Sequence, residues 1–151
     1  MRFTKVLGMF ALAITVWAAD PTAGTWKLNP AKSKYSPGPT PTSATITYED
    51  TADGIKRTGE NVLPDGTKTS FEYTAKYDGK DYPVTGSDNY DAVALKRVND
   101  HTVETTLKKS GKVMTTGRRV VSKDGKTMTL TITGTNAKGQ KVKNIAVYEK
   151  Q

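Results

Sequence analysis

The stretch Asp124-Gly125-Lys126-Thr127-Met128-Thr129-Leu130-Thr131-Ile132-Thr133-Gly134-Thr135 decides the fold of this chain. After an Asp-Gly turn signal, Met128, Leu130 and Ile132 alternate with threonines at a period of two, the mark of a strand with one face buried and the other wet. Threonine, being β-branched, suits the outward face. The rhythm recurs in Ala44, Ile46 and Tyr48, in Phe71, Tyr73, Ala75 and Tyr77, and in Val93 with Leu95. No stretch from Gly24 onward has a helical period. Asp53-Gly54, Asp65-Gly66, Asp78-Gly79, Asn99-Asp100, Ser110-Gly111 and Lys138-Gly139 add further punctuation. Glycine accepts positive φ and the aspartate side chain bonds nearby backbone, so such pairs mark tight hairpins. The pattern predicts strands over 24–28, 43–50, 54–62, 68–77, 91–98, 101–109, 112–121, 127–135 and 142–149, with a short extra strand at 82–85.

Sequential hairpin strands with one apolar face each bury that face by rolling up, which also removes the exposed sheet edges. The fold class is therefore all-β, an antiparallel up-and-down meander barrel of about eight to ten strands. An open two-sheet sandwich is the rival architecture. Between the first two predicted strands, Asn29 to Thr42 contains Pro30, Pro37, Pro39 and Pro41, too many for a ladder or a helix. It is expected to run as an extended connection over the surface.

Upstream, Arg2 and Lys5 precede an apolar run from Val6 to Ala19 and the helix-stopping Asp20-Pro21. That is the layout of a secretory signal peptide, with Val16 and Ala18 as tolerated residues before a cut after Ala18. Residues 1–18 are thus read as the signal peptide and 19–151 as one domain. An uncleaved membrane anchor is the rival, but the run is shorter than the ~20 residues a spanning helix needs. The cut leaves 133 residues, enough for a continuous core. With no cysteine, disulfides, thiol catalysis, cysteine zinc sites and a lipoprotein-type anchor are excluded. A periplasmic or secreted location follows from the leader. The formal charge of +8 falls to +6 without Arg2 and Lys5, and the lysines are dispersed rather than gathered into a run. That reads as a solvated basic surface with no specific nucleic-acid partner.

The first strand reads Gly24-Thr25-Trp26-Lys27-Leu28 and the last ends Val147-Tyr148-Glu149-Lys150. In these places the two segments resemble the start and finish of the fatty-acid-binding proteins, and the Gly-x-Trp opening is similar to that of the lipocalins in the larger calycin group. The resemblance implies a meander barrel with Trp26 near its closed end and an interior cavity for a hydrophobic small molecule. Two departures stand out. The family's lid helices are replaced by Asn29 to Thr42, and the arginine of its terminal Arg-x-Tyr carboxylate clamp is Ala146, with only Tyr148 kept. A bacterial exported lipocalin-like protein is the nearer comparison.

Catalytic chemistry has little material. His101 is the single histidine and follows a turn signal, so it is expected in a solvent-exposed loop. Asp88, Asn89 and Asp91 form an oxygen-rich loop that lacks the closing glutamate of a calcium site. No metal, cofactor or catalytic set is assigned. Parity offers more: if Val93 and Leu95 face in, so does Arg97, and Val113 with Thr115 would bring in Arg119. An inward arginine is a natural anchor for an anionic head group, because burying its charge unpaired is costly. Tyr73, Arg97, Arg119 and Tyr148 are the candidate ligand-binding residues. The leading function is non-catalytic binding of a small hydrophobic or amphipathic molecule. The alternative is an envelope or secreted interaction module with a filled barrel acting through its loops, and interior volume separates the two, ~300 Å³ being the lower bound for an ordinary ligand pocket.

Overall fold

Alternating strands close into a wall in the computed structural model, which describes Gly8 and residues 19–151. The proposed signal peptide lies outside the described residues apart from Gly8. The strands are β1 (Gly24–Leu28), β2 (Lys34–Ser36), β3 (Ser43–Thr51), β4 (Gly54–Val62), β5 (Lys68–Ala75), β6 (Asp78–Thr85), β7 (Ala92–Asn99), β8 (Thr102–Lys109), β9 (Lys112–Val121), β10 (Thr127–Thr135) and β11 (Lys141–Lys150). Each of β3 to β11 pairs antiparallel with its sequence neighbour, and β1 pairs with both β3 and β11. The result is a closed barrel of ten strands, with β2 as an eleventh on the edge of β11.

The proline-rich connection departs from a purely extended path. Pro30–Lys32 form a 3-10 turn, and Lys34–Ser36 then pair with Lys143–Ile145 of β11. Thus β1 and β2 share one edge of β11, interrupted by the turn. Ser33 bridges the interruption: its hydroxyl donates to the Asn29 carbonyl at 2.7 Å and accepts from the Val147 amide at 2.9 Å. A three-residue strand needs no β-propensity of its own when its neighbour β11 already presents unpaired backbone groups.

The barrel is sealed at one end and looser at the other. Trp26, Ile46, Ile55, Ala75, Val93, Leu95 and Met128 are all at most 1% exposed, and Trp26, Ile55, Ala75 and Met128 sit on the strand ends where the chain enters and leaves. Trp26 is tied down by its indole N–H, which donates to the Thr22 carbonyl at 2.8 Å. Gly54 opens β4 at φ 120°, and a Cβ there would collide with the Ala75 carbonyl, so the hairpin at this end demands glycine. Toward the other end, Phe71, Leu130 and Ile132 are only half-buried. The weakest seam is β5 to β6, paired only at Glu72 with Thr85 and Tyr73 with Val84, because Pro83 has no N–H to give. No described helix is long and apolar enough to cross a membrane.

Candidate functional site

Inward parity brings a polar layer to the middle of the barrel. On β3, Ala44 and Ile46 lead to Tyr48; on β4, Ile55 leads to Arg57; on β5, Tyr73 precedes Ala75; on β9, Thr115 leads to Arg119; on β11, Ala146 leads to Tyr148. Arg57 is 6% exposed and Arg119 2%. The Arg57 guanidinium lies 3.8 Å from the Phe71 ring centroid and donates to the Phe71 carbonyl at 2.9 Å. Arg119 lies 4.6 Å from the Tyr48 ring centroid and donates to the Tyr77 hydroxyl at 3.0 Å, while its Nε is buried without a partner.

Above this layer sits a cavity of ≈ 70 Å³ lined by Tyr48, Arg57, Phe71, Tyr73, Thr105, Leu107, Thr115, Arg119, Leu130 and Ile132, among others, with no carboxylate in the lining. At ~30 Å³ for each water in the liquid, it has room for about two waters or one small charged group. Its floor is cationic and hydroxyl-rich, and its walls toward the looser end are apolar.

Electrostatics follow from burial. Desolvation pushes the Tyr73 hydroxyl up to about 12, with Tyr48 adding to the shift. Desolvation likewise raises Tyr148, with Tyr35 of β2 adding to the shift. For Arg119, burial opposes the charge, but the surrounding Tyr48, Tyr73 and Tyr77 outweigh it and the pKa ends raised. These groups therefore hold fixed protonation states around neutrality.

The four residues singled out in the sequence separate in space. Tyr73 and Arg119 line the cavity. Tyr148 is buried beside Tyr35 and Arg57. Arg97 turns to the sealed end, where it pairs with Asp20 at 3.0 Å and stacks 4.4 Å from the Tyr77 ring centroid. Arg57, which the sequence reading did not select, carries the same parity signal two residues after Ile55. Val113 shares parity with Thr115 yet is 48% exposed, since the β8–β9 register shifts between Leu107 and Lys108. His101 is half-buried rather than exposed, with Nδ1 enclosed and unpartnered. In the Asp88–Asp91 loop, Asp91 accepts the Ser110 amide at 2.9 Å, which gives that carboxylate a structural task.

Asp20 is expected to make the stability of the fold acid-sensitive. Burial acts to raise its carboxyl, but hydrogen bonds from Tyr77 and Thr22 and the Arg119 charge bring it below the ordinary 3.8. A depressed folded-state pKa stabilises fully above the unfolded value and is lost as pH falls through the folded value. Asp20→Asn is therefore expected to cost stability at pH 7, with the gap from the parent chain closing below about pH 4, as read by urea midpoints across pH. A gap independent of pH would show that the carboxylate charge is not involved.

The strands in sequence order, closed by β1 against β11, define an antiparallel up-and-down meander barrel. Among solved structures, the crystal structure of zebrafish ileal bile acid-binding protein complexed with cholic acid aligns with a TM-score of 0.52 at 14% identity, over 87% of this chain and 99% of that one. No family model and no curated protein sequence matches the chain.

Proposed function

We propose that this protein is an exported, non-catalytic barrel that binds a small amphipathic anion head-first. The observation that carries the reading is the pair of buried guanidiniums, Arg57 and Arg119, facing one cavity without a carboxylate in its lining. A buried cation with an unpartnered N–H is expensive, and an incoming carboxylate, sulfonate or phosphate oxygen relieves that cost. Tyr73 offers a further hydroxyl on the same floor. The ≈ 70 Å³ space takes the head group, and the tail would run past Phe71, Leu130 and Ile132 toward the looser end. Binding rather than chemistry fits the lining, which holds no carboxylate, histidine or lysine. The bile-acid-binding neighbour lends the reading a precedent for an amphipathic ligand on this fold. The basic and then apolar start of the chain supports export with a cut after Ala18.

The interior volume of ≈ 70 Å³ falls well below the ~300 Å³ of an ordinary ligand pocket and so favours a second reading, a filled barrel that works through its loops. Calorimetric titration with a butane- to dodecane-sulfonate series separates them. Head-first binding predicts roughly a fourfold gain in affinity per methylene while the tail is being buried, from about 0.8 kcal/mol each, then a plateau. Matched alkyl ammonium ions are expected at least tenfold weaker. A chain that takes up neither series, and leaves its own host without a co-purifying mass in native mass spectrometry, is the filled module.

A further inference from the structure

The residues just before the first strand are built into the barrel's sealed end. Thr22 is 3% exposed, its carbonyl accepts the Trp26 indole N–H, and its amide donates to Asp20 Oδ1 at 2.9 Å. This tight turn points the Asp20 side chain, only 6% exposed, at the barrel floor. Asp20 Oδ2 accepts from Arg97 at 3.0 Å and from the Tyr77 hydroxyl, and that same hydroxyl accepts from Arg119 at 3.0 Å. A continuous hydrogen-bond chain thus runs from the N-terminal segment to the guanidinium that faces the cavity. Within that chain one carboxylate stands against two arginines.

We propose that Asp20 is a positioning residue for the anion site, holding the Arg119 guanidinium through Tyr77 and partly neutralising it from behind. The inference rests on the reading that anions bind at Arg57 and Arg119. A hydroxyl that donates to a carboxylate is polarised and becomes a better acceptor for the guanidinium, so Tyr77 transmits orientation as well as charge. Arg97 holds Asp20 from the solvent side and stacks on Tyr77, which makes it a support of the relay. Because the carboxylate lies behind the guanidinium, its negative charge opposes any anion arriving from the cavity side.

That opposition gives the test a sign that structural damage does not share. Asp20→Asn is close to isosteric, keeps an acceptor for Tyr77 and removes only the charge. Octanesulfonate, anionic at every working pH, is expected to bind Asp20→Asn about three- to tenfold more tightly than the parent chain. Asp53→Asn removes the same charge from an exposed turn at the same end and is expected to change affinity less than twofold. Tyr77→Phe cuts the chain and is expected to weaken binding about tenfold, since the guanidinium loses its holder. The NMR cross-peak of the Arg119 Nε–Hε group reads the relay without ligand: it shifts in Asp20→Asn and Tyr77→Phe and stays in place in Asp53→Asn. An unmoved cross-peak, or equal or weaker sulfonate binding by Asp20→Asn, overturns the proposal. If the cross-peak moves but the parent chain takes up no octanesulfonate, the relay stands and the anion reading falls.

Discussion

Trp26→Ala is expected to lower unfolding free energy by about 3–5 kcal/mol, among the most damaging single truncations available to this chain. Trp26 is fully buried, and its neighbours at the sealed end are equally closed, so little solvent or side-chain motion is at hand to refill the space. It also joins otherwise distant parts of the chain. β1 is bonded to β3 on one side and β11 on the other, with Trp26 opposite Ile46 and Lys150, so loosening it weakens the seam that closes the barrel. The substitution further leaves the Thr22 carbonyl without the indole donor. Trp26→Phe retains most of the ring and is expected to cost about 1–2 kcal/mol, mainly for that lost bond. Urea unfolding of both variants checks the ladder; a cost for Trp26→Ala below about 1 kcal/mol would show that β1 is peripheral to the fold.

Most of the wall was legible because a period-two pattern survives wherever one face is buried. Met128, Leu130 and Ile132 point inward together, and the turn dipeptides lie at or between strand ends, with Asp78-Gly79 forming the start of β6. The short extra strand expected at 82–85 is the end of the full strand β6, Asp78–Thr85, whose first half carries charge and glycine rather than alternation. β2 was illegible because its three residues sit among prolines and owe their conformation to β11. The site was half legible. Arg119 follows from its strand's parity, and Arg57 was equally available from Ile55. Parity gives a face but not a depth: Arg97 has the inward parity of Leu95, yet near the strand's end its long side chain reaches Asp20 instead of the cavity. Asp20 itself lies in no strand and has no periodicity to announce it. Its role comes from the tertiary position of a turn fixed by Thr22 and Trp26.

Arg119→Met is expected to abolish the site while sparing or raising stability. Methionine follows the arginine stem closely and leaves no large void, so the change removes a buried charge rather than packing. The guanidinium has no direct carboxylate partner among its hydrogen bonds, and its Nε has none at all. Buried ionic groups replaced by apolar side chains of similar volume are often neutral or stabilising by about 1–4 kcal/mol, and the parent chain's unmet donor places Arg119 among such cases. Against that gain stands Asp20, which loses one of its two nearby cations, so a net change between zero and about +2 kcal/mol is expected. Octanesulfonate affinity, in contrast, should fall about a hundredfold, equivalent to about 2.7 kcal/mol, with Arg57 left as the buried cation in the lining and Arg118 turned outward to Glu104. Arg119→Ala provides the control: it removes the charge and the stem together, and the void is expected to turn the stability change negative by about 1–3 kcal/mol. Melting temperature and sulfonate titration on the same preparations measure both quantities. If Arg119→Met melts well below the parent chain, the guanidinium holds the fold together, and its burial needs no ligand to explain it.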